Sequence, residues 1–228
     1  MKHFLIILSL IVLSTVTVTG IAKSKDDLPE YTVEGLQRIH NPKHMALVYA
    51  EPGADLQQYD RIYLVEPYVA FKKNWKRDQN RSHALKVRTS DMEKIKVGVK
   101  EIFMEVFTKE LEKGGYELAN ERAEDVLIVK PAIIDLDVSA PDIASPGMTR
   151  TFTESSGSMT LYMELYDSET GDLLAKAMDM KADRGHGWME WQTKVTNIAA
   201  GKRMMQPWAE ALRQALDEAR EATNQNKE

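Results

Sequence analysis

The sequence predicts an α+β fold, a mainly antiparallel sheet with two helices packed on one face in the order β-α-β-β-β-α. Three observations carry this. From Met92 to Leu111, apolar residues recur at three- and four-residue steps; between Met159 and Tyr166 they alternate; and from Ile198 to Ala219 the helical period returns. A helix with one apolar stripe and a strand with one apolar face each need a covering layer, and each supplies it to the other.

The chain opens on MKHFLIILSLIVLSTVTVTGIAKSK, with a cation at Lys2, an apolar run from Phe4, and small residues at Gly20 and Ala22. This pattern is that of a secretory signal peptide over residues 1–22, cut after Ala22. Retention as an anchor is the alternative, but Ser9, Ser14, Thr15, Thr17 and Thr19 dilute the run below the ~20 apolar residues of a bilayer span. Without the signal the chain carries 29 Lys and Arg against 35 Asp and Glu, a net charge of −6. About 205 residues suffice for one core without covalent staples. The sequence holds no cysteine, which excludes thiol catalysis, Cys-ligated zinc and lipid attachment at an N-terminal Cys.

Residues 23–58 show no sustained period and are expected to form an extended polar leader, with a single domain over 59–222. Arg61 to Val69, rich in β-branched and aromatic residues, reads as the first strand. A basic segment, 71–88, leads to Ser90, three residues before Glu93, a capping-box spacing for the helix that follows. That helix buries Met92, Ile95, Val99, Ile102, Phe103, Val106, Phe107 and Leu111, and ends at Gly114-Gly115, where glycine takes the left-handed turn at little steric cost.

Val126 to Val138, VLIVKPAIIDLDV, reads as a long strand in which Pro131 marks an edge or a bulge. Residues 140–151 form a Pro/Gly/Ser loop. The next strand buries Met159, Leu161, Met163 and Leu165, and the turn Asp167 to Asp172 pairs it with LLAKAMDMKADR as an antiparallel hairpin. RGHGWMEWQTK connects to the last helix. Pro207 either kinks that helix or begins its main part, and 223–228 reads as a frayed tail.

The segments PAIIDLDV, MELYDSETGDLLAKAMD, the two tryptophans of the glycine-containing connector, and PWAEALRQALD together resemble an uncharacterised bacterial envelope family, the DUF3313-like group, often made as lipoproteins. The resemblance covers Tyr59 to Asp217. It implies an exported protein of a Gram-negative envelope and supplies neither a reaction nor catalytic residues. The missing cysteine departs from the lipoprotein pattern and implies a non-lipidated periplasmic form, with association to a membrane surface left open.

FKKNWKRDQNR, residues 71–81, is the densest charge feature of the chain. Over 71–88, seven cations stand against Asp78 alone. Cations interleaved with aromatics suit nucleic acid, but export removes that partner, leaving anionic lipid or lipopolysaccharide, an acidic envelope protein, or a solvated loop. Lys72, Lys73, Trp75, Lys76, Arg77 and Arg81 are the binding candidates here, and Trp188 and Trp191, if exposed, form a second group. Their other reading is packing of the last helix against the sheet, with Trp208.

Two carboxylate groupings frame a hydrolase alternative: Asp135 with Asp137, which share a face if their strand is regular, and Asp183, His186 and Glu190 about the Gly185 and Gly187 pair. Neither spacing matches a metal or nucleophile signature. The sequence has no Gly-x-Ser-x-Gly elbow, phosphate loop, dinucleotide fingerprint or His-Glu-x-x-His. The expectation is therefore a non-enzymatic binding or accessory protein of the envelope, without cofactor or metal. Hydrolysis, and homo-oligomerisation through edge strands or the last helix, are the competing readings.

Overall fold

The structure is a computed structural model that describes residues 28–82, 86–139, 152–153, 157–183, 190–191 and 194–226. In chain order the elements are β1 (Gln37–Arg38), β2 (Leu47–Ala50), β3 (Arg61–Leu64), β4 (Tyr68–Phe71), α1 (Trp75–Ser82), α2 (Thr89–Lys113), β5 (Glu117–Leu118), β6 (Val126–Val138), β7 (Phe152–Thr153), β8 (Gly157–Asp167), β9 (Leu173–Ala182), β10 (Glu190–Trp191) and α3 (Lys194–Asn226). Eight strands form one sheet in the order β1-β2-β9-β8-β6-β3-β5, with β4 also on β6, and β7 pairs with β10 separately.

The α+β class holds, but the sheet is mixed and three helices are described, not two. β3 and β4 both run parallel to β6, and β5 runs parallel to β3. The reason is the connection: α1 and α2 carry the chain from β4 back to the start of β6, a β-α-β crossover that leaves its strands parallel. β8 and β9 form the expected antiparallel hairpin, its turn held by the Asp167 carboxylate, which accepts from the Glu169 and Thr170 amides at 2.8 and 2.7 Å.

Residues 28–58 depart from an extended leader. β1 and β2 form a hairpin, and β2 pairs with β9 from Leu47↔Met178 to Ala50↔Ala175, so this stretch supplies one flank of the sheet. Its isolated apolar residues are anchors, with Leu36 and Tyr49 buried.

The first predicted strand is broken in two. β3 ends at Leu64, opposite Val129, and β4 begins at Tyr68, opposite Ala132. Pro67 lies in this gap, and Pro131 on β6 lies opposite it, between the two partners. Pro131 is thus in a central strand rather than at an edge, and its missing N–H is absorbed where the neighbouring ladder is already interrupted. A bulge does occur in β6, four residues on: the β8 register slips between Ile134 and Asp137, and Asp135 sits there at φ 50°. The inward phase moves from Ile133 to Leu136 as a result. Beyond the bulge, Gly157 faces Val138 so closely that a Cβ there would stand 1.8 Å from the Asp137 carbonyl oxygen.

α2 buries the predicted stripe from Val99 to Leu111 against the sheet, Phe103 stacks on Phe107 at 3.9 Å, and Gly115 takes the left-handed turn at φ 79°. Its start differs: Thr89 is the first helical residue, and the Asp91 carboxylate, not Glu93, accepts from the Arg88 amide at 2.8 Å. Glu93 pairs with Lys96 at 3.0 Å instead. α3 runs through Pro207 to Asn226, covering the expected break and most of the expected frayed tail. Trp208 is its central anchor. Fully buried, it donates its indole N–H to the Asp179 carboxylate at 2.8 Å, and the same carboxylate accepts from the Ala46 amide at 3.1 Å. One buried aspartate thereby ties α3, β9 and the approach to β2.

α2 and α3 are joined by a polar seam. Glu110, 4% exposed, accepts from Arg213 at 2.7 Å and Gln206 at 3.0 Å. Arg213 also pairs with Asp217, which accepts from the Tyr116 hydroxyl at 3.1 Å. Burial pushes the Glu110 carboxyl up, but the hydrogen bonds from Arg213, Gln206 and Lys113 outweigh it and hold it below the usual glutamate value.

Candidate binding site

Over residues 71–82 the basic segment is a strand end and a helix, not a solvated loop. After β4, Asn74 takes a left-handed conformation, φ 64°, and turns the chain into α1. Trp75, the first residue of α1, is 3% exposed; its ring stacks on Phe71 at 4.2 Å and its indole N–H donates to the Val138 carbonyl at 3.2 Å. Gln79, one turn later, donates to the same carbonyl at 3.1 Å. Asn80 closes the far end, its side chain accepting from the Val87 amide at 2.7 Å, with Val87 buried. A sequence too polar to form a stable helix alone is thus pinned at both ends by tertiary contacts.

This anchoring sets the charges around an opening. A cleft of about 640 Å³ lies between β4, α1 and the start of α2, and Lys72, Lys73, Trp75, Lys76 and Arg77 all line it. Of the predicted group, Arg81 is on α1 but outside the cleft lining. Lys72 pairs with Asp137 at 3.3 Å, Lys76 donates to the Thr89 hydroxyl at 2.9 Å, and Arg77 pairs with its neighbour Asp78 at 2.9 Å. Among the described residues, Lys73 and Arg81 meet no carboxylate.

Several further residues line the cleft and escaped the sequence reading. Tyr68, 67% exposed, stands at its mouth, and Met92 and Lys96 enter from α2. The last two are four residues apart, so they share one helix face. Only the helical period linked them; nothing in the chain order placed them beside α1.

Trp188 lies outside the described residues, as does His186. Of Trp191 and Glu190 the structure describes the backbone, where Trp191 pairs with Phe152 and Glu190 with Thr153. Of the carboxylates of the hydrolase alternative, two are engaged in ion pairs. Asp135 is exposed and sits in the bulge at a left-handed φ of 50°. Asp137 is engaged by Lys72, and Asp183 is paired with Arg203 at 3.1 Å. Among the described residues no group of three or more His, Asp or Glu could hold a metal ion. Among them, too, no helix is long and apolar enough to cross a membrane.

Two other features have no counterpart in the sequence reading. A larger cleft, about 1030 Å³, opens between α2 and α3 above the ends of β6 and β8, with Ile102, Leu136, Met159 and Met204 among its lining. On the sheet face away from the helices, the hydroxyls of Tyr162 and Tyr166 each donate to Glu164 at 2.7 Å, with Lys130 at 3.7 Å. Burial, then the bond to Glu164, pushes the Tyr166 hydroxyl up to about 12. Lys176 adds a bond to Glu34 at 2.6 Å that, with help from Thr32, lowers the Glu34 carboxyl to about 2. These donors and acceptors satisfy one another, fastening the 28–36 segment to the sheet.

No curated protein matches the sequence. Among solved structures, the chain is similar to a DUF330 protein from Xanthomonas campestris at 13% identity and TM-score 0.39, covering 75% of this chain and 92% of that one. It is similar to the PelC dodecamer protein from Paraburkholderia phytofirmans at 12% and 0.37, covering 73% and 96%. A DUF4136 family protein from Bacteroides thetaiotaomicron gives 12% and 0.33, covering 74% and 94%. The family model described as protein of unknown function DUF3313 matches residues 17–212, taking in β1 and β2 as well as the region from Tyr59 onward, and the chain belongs to that family.

Proposed function

We propose that this chain is an exported, non-enzymatic binding protein of the bacterial envelope, built as one folded domain after its signal, and that it docks an anionic partner at the cleft beside α1. The observation that carries the proposal is the grouping of Lys72, Lys73, Lys76, Arg77 and Lys96 about one opening floored by the Phe71–Trp75 stack. In a chain of net charge −5, this local excess of cations gives an anionic group a preferred place to bind. The ion pairs of Asp137 with Lys72 and of Asp183 with Arg203 support a binding role over hydrolysis, because general acid work needs a carboxyl kept protonated. Export rests on the first 22 residues.

Binding of the chain from Lys23 onward to polyglutamate and to phosphatidylglycerol vesicles tests this. At least one should bind, more weakly as salt rises, and the Lys73→Gln, Lys76→Gln, Arg77→Gln, Arg81→Gln variant should lose that binding while keeping its fold. Equal binding by the two forms would place the anion site elsewhere.

A further inference from the structure

We infer that the outer edge of β4 takes up an extended acidic polypeptide segment as an added strand, its carboxylates meeting the cations that ring the cleft. The inference rests on the anion-docking reading and names the partner's class. Its basis is a notch in the sheet: β5 continues the sheet past β3, whereas β4 pairs, among the described residues, with β6 alone. A strand paired on one side presents a row of backbone N–H and C=O groups on the other. The sheet's end strands, β1 and β5, are two residues long; β4 has four.

The free edge faces the cleft. All four residues of β4 line it, inward-facing Val69 as well as outward-facing Tyr68, so the wall is the strand's edge rather than one of its faces. An incoming strand would bond to that edge irrespective of its own sequence, and its alternate side chains would point toward α1 and α2. There it meets Lys73, Lys76 and Lys96, which line the same opening and select Asp or Glu at the facing positions. Pairing of β4 with β4 of a second copy would bring lysines against lysines. A lipid headgroup would use the cations and leave the strand edge unused.

The test uses the chain from Lys23 onward and a fluorescein-labelled decapeptide of alternating Glu and Val. The controls are the same peptide N-methylated along its backbone, a version with Lys for Glu, and phosphatidylglycerol vesicles. The Glu/Val peptide should bind, and amide exchange over residues 68–71 should slow on binding. N-methylation should weaken binding by about tenfold or more, since it removes the edge hydrogen bonds and keeps the charge. Lys for Glu should abolish binding, and Lys73→Gln with Lys76→Gln should weaken it roughly fivefold without changing exchange in α2 or α3. Equal binding of the methylated peptide, or unchanged exchange at 68–71, overturns strand addition and leaves anion docking standing. Binding to vesicles and to neither peptide assigns the cleft to lipid and likewise overturns it, whereas no salt-sensitive binding to any of these anions overturns both readings.

Discussion

Between α2 and α3, charge is matched and enclosed: Glu110 lies between Arg213 and Gln206, and Arg213 turns on to Asp217. Beside α1, charge is gathered and open: Lys73 and Arg81 meet no carboxylate among the described residues, and Lys76 reaches only a hydroxyl. Both regions are rich in cations, yet burial separates their roles. An enclosed guanidinium without its carboxylate would cost several kcal/mol, so the seam fastens two helices. An exposed ammonium is solvated and costs nothing to leave unpaired, so the cleft can hold its cations ready for another molecule.

The largest expected break in that contrast lies on the enclosed side. Trp208→Ala removes a fully buried ring and one donor from Asp179; it should lower unfolding stability by about 3–5 kcal/mol, measured by urea titration. A loss under about 1 kcal/mol would mean that Trp208 is not the anchor of α3.

Next in size is Glu110→Gln, which leaves Arg213 with Asp217 alone and should cost about 1–3 kcal/mol at neutral pH. The depressed Glu110 carboxyl sets the sign of its pH dependence. Its contribution is complete above the ordinary glutamate value of about 4.3 and is lost as pH falls below that toward the native value. The gap between wild type and Glu110→Gln should therefore narrow as the urea midpoint is followed from pH 6 down to pH 3. A gap that widens with acid would reverse the assignment.

The smallest stability effect belongs to the open side. Lys73→Gln with Lys76→Gln should shift unfolding stability by less than about 0.5 kcal/mol, because neither lysine meets a carboxylate. If the pair destabilised the fold as much as Glu110→Gln does, the cleft would be a structural seam like the other, and the contrast between the regions would collapse.

The same distinction explains what could be read from the chain. The alternation from Met159 to Leu165 and the stripe from Val99 to Leu111 are repeated local signals, and both elements appear where the sequence puts them. The parallel pairing of β3 and β4 with β6 carries no such signal, since two strands of four residues show little periodicity and their partner is more than 50 residues away. β1 and β2 hide in a polar stretch because Leu36 and Tyr49 act singly. At the cleft, the cations and Trp75 stand out in sequence, but Tyr68, Met92 and Lys96 join them only through tertiary packing. The bulge at Asp135 is likewise a departure from alternation that leaves no mark in the local sequence.

The opposed prolines, Pro67 and Pro131, bear on how β4 and α1 are held to the sheet. Because the ladder along β6 is interrupted between Val129 and Ala132, β3 and β4 are attached to it as separate pieces. The second piece, with α1, is secured by its own fastenings: the Lys72 amide on the Leu136 carbonyl and the Trp75 and Gln79 side chains on that of Val138. The stretch from Tyr68 to Gln79 is therefore held to β6 by bonds of its own. A change in this stretch that kept Val69 and Phe71 on the core would leave the pairing of β3 with β6 untouched, since no ladder runs unbroken from one piece to the other.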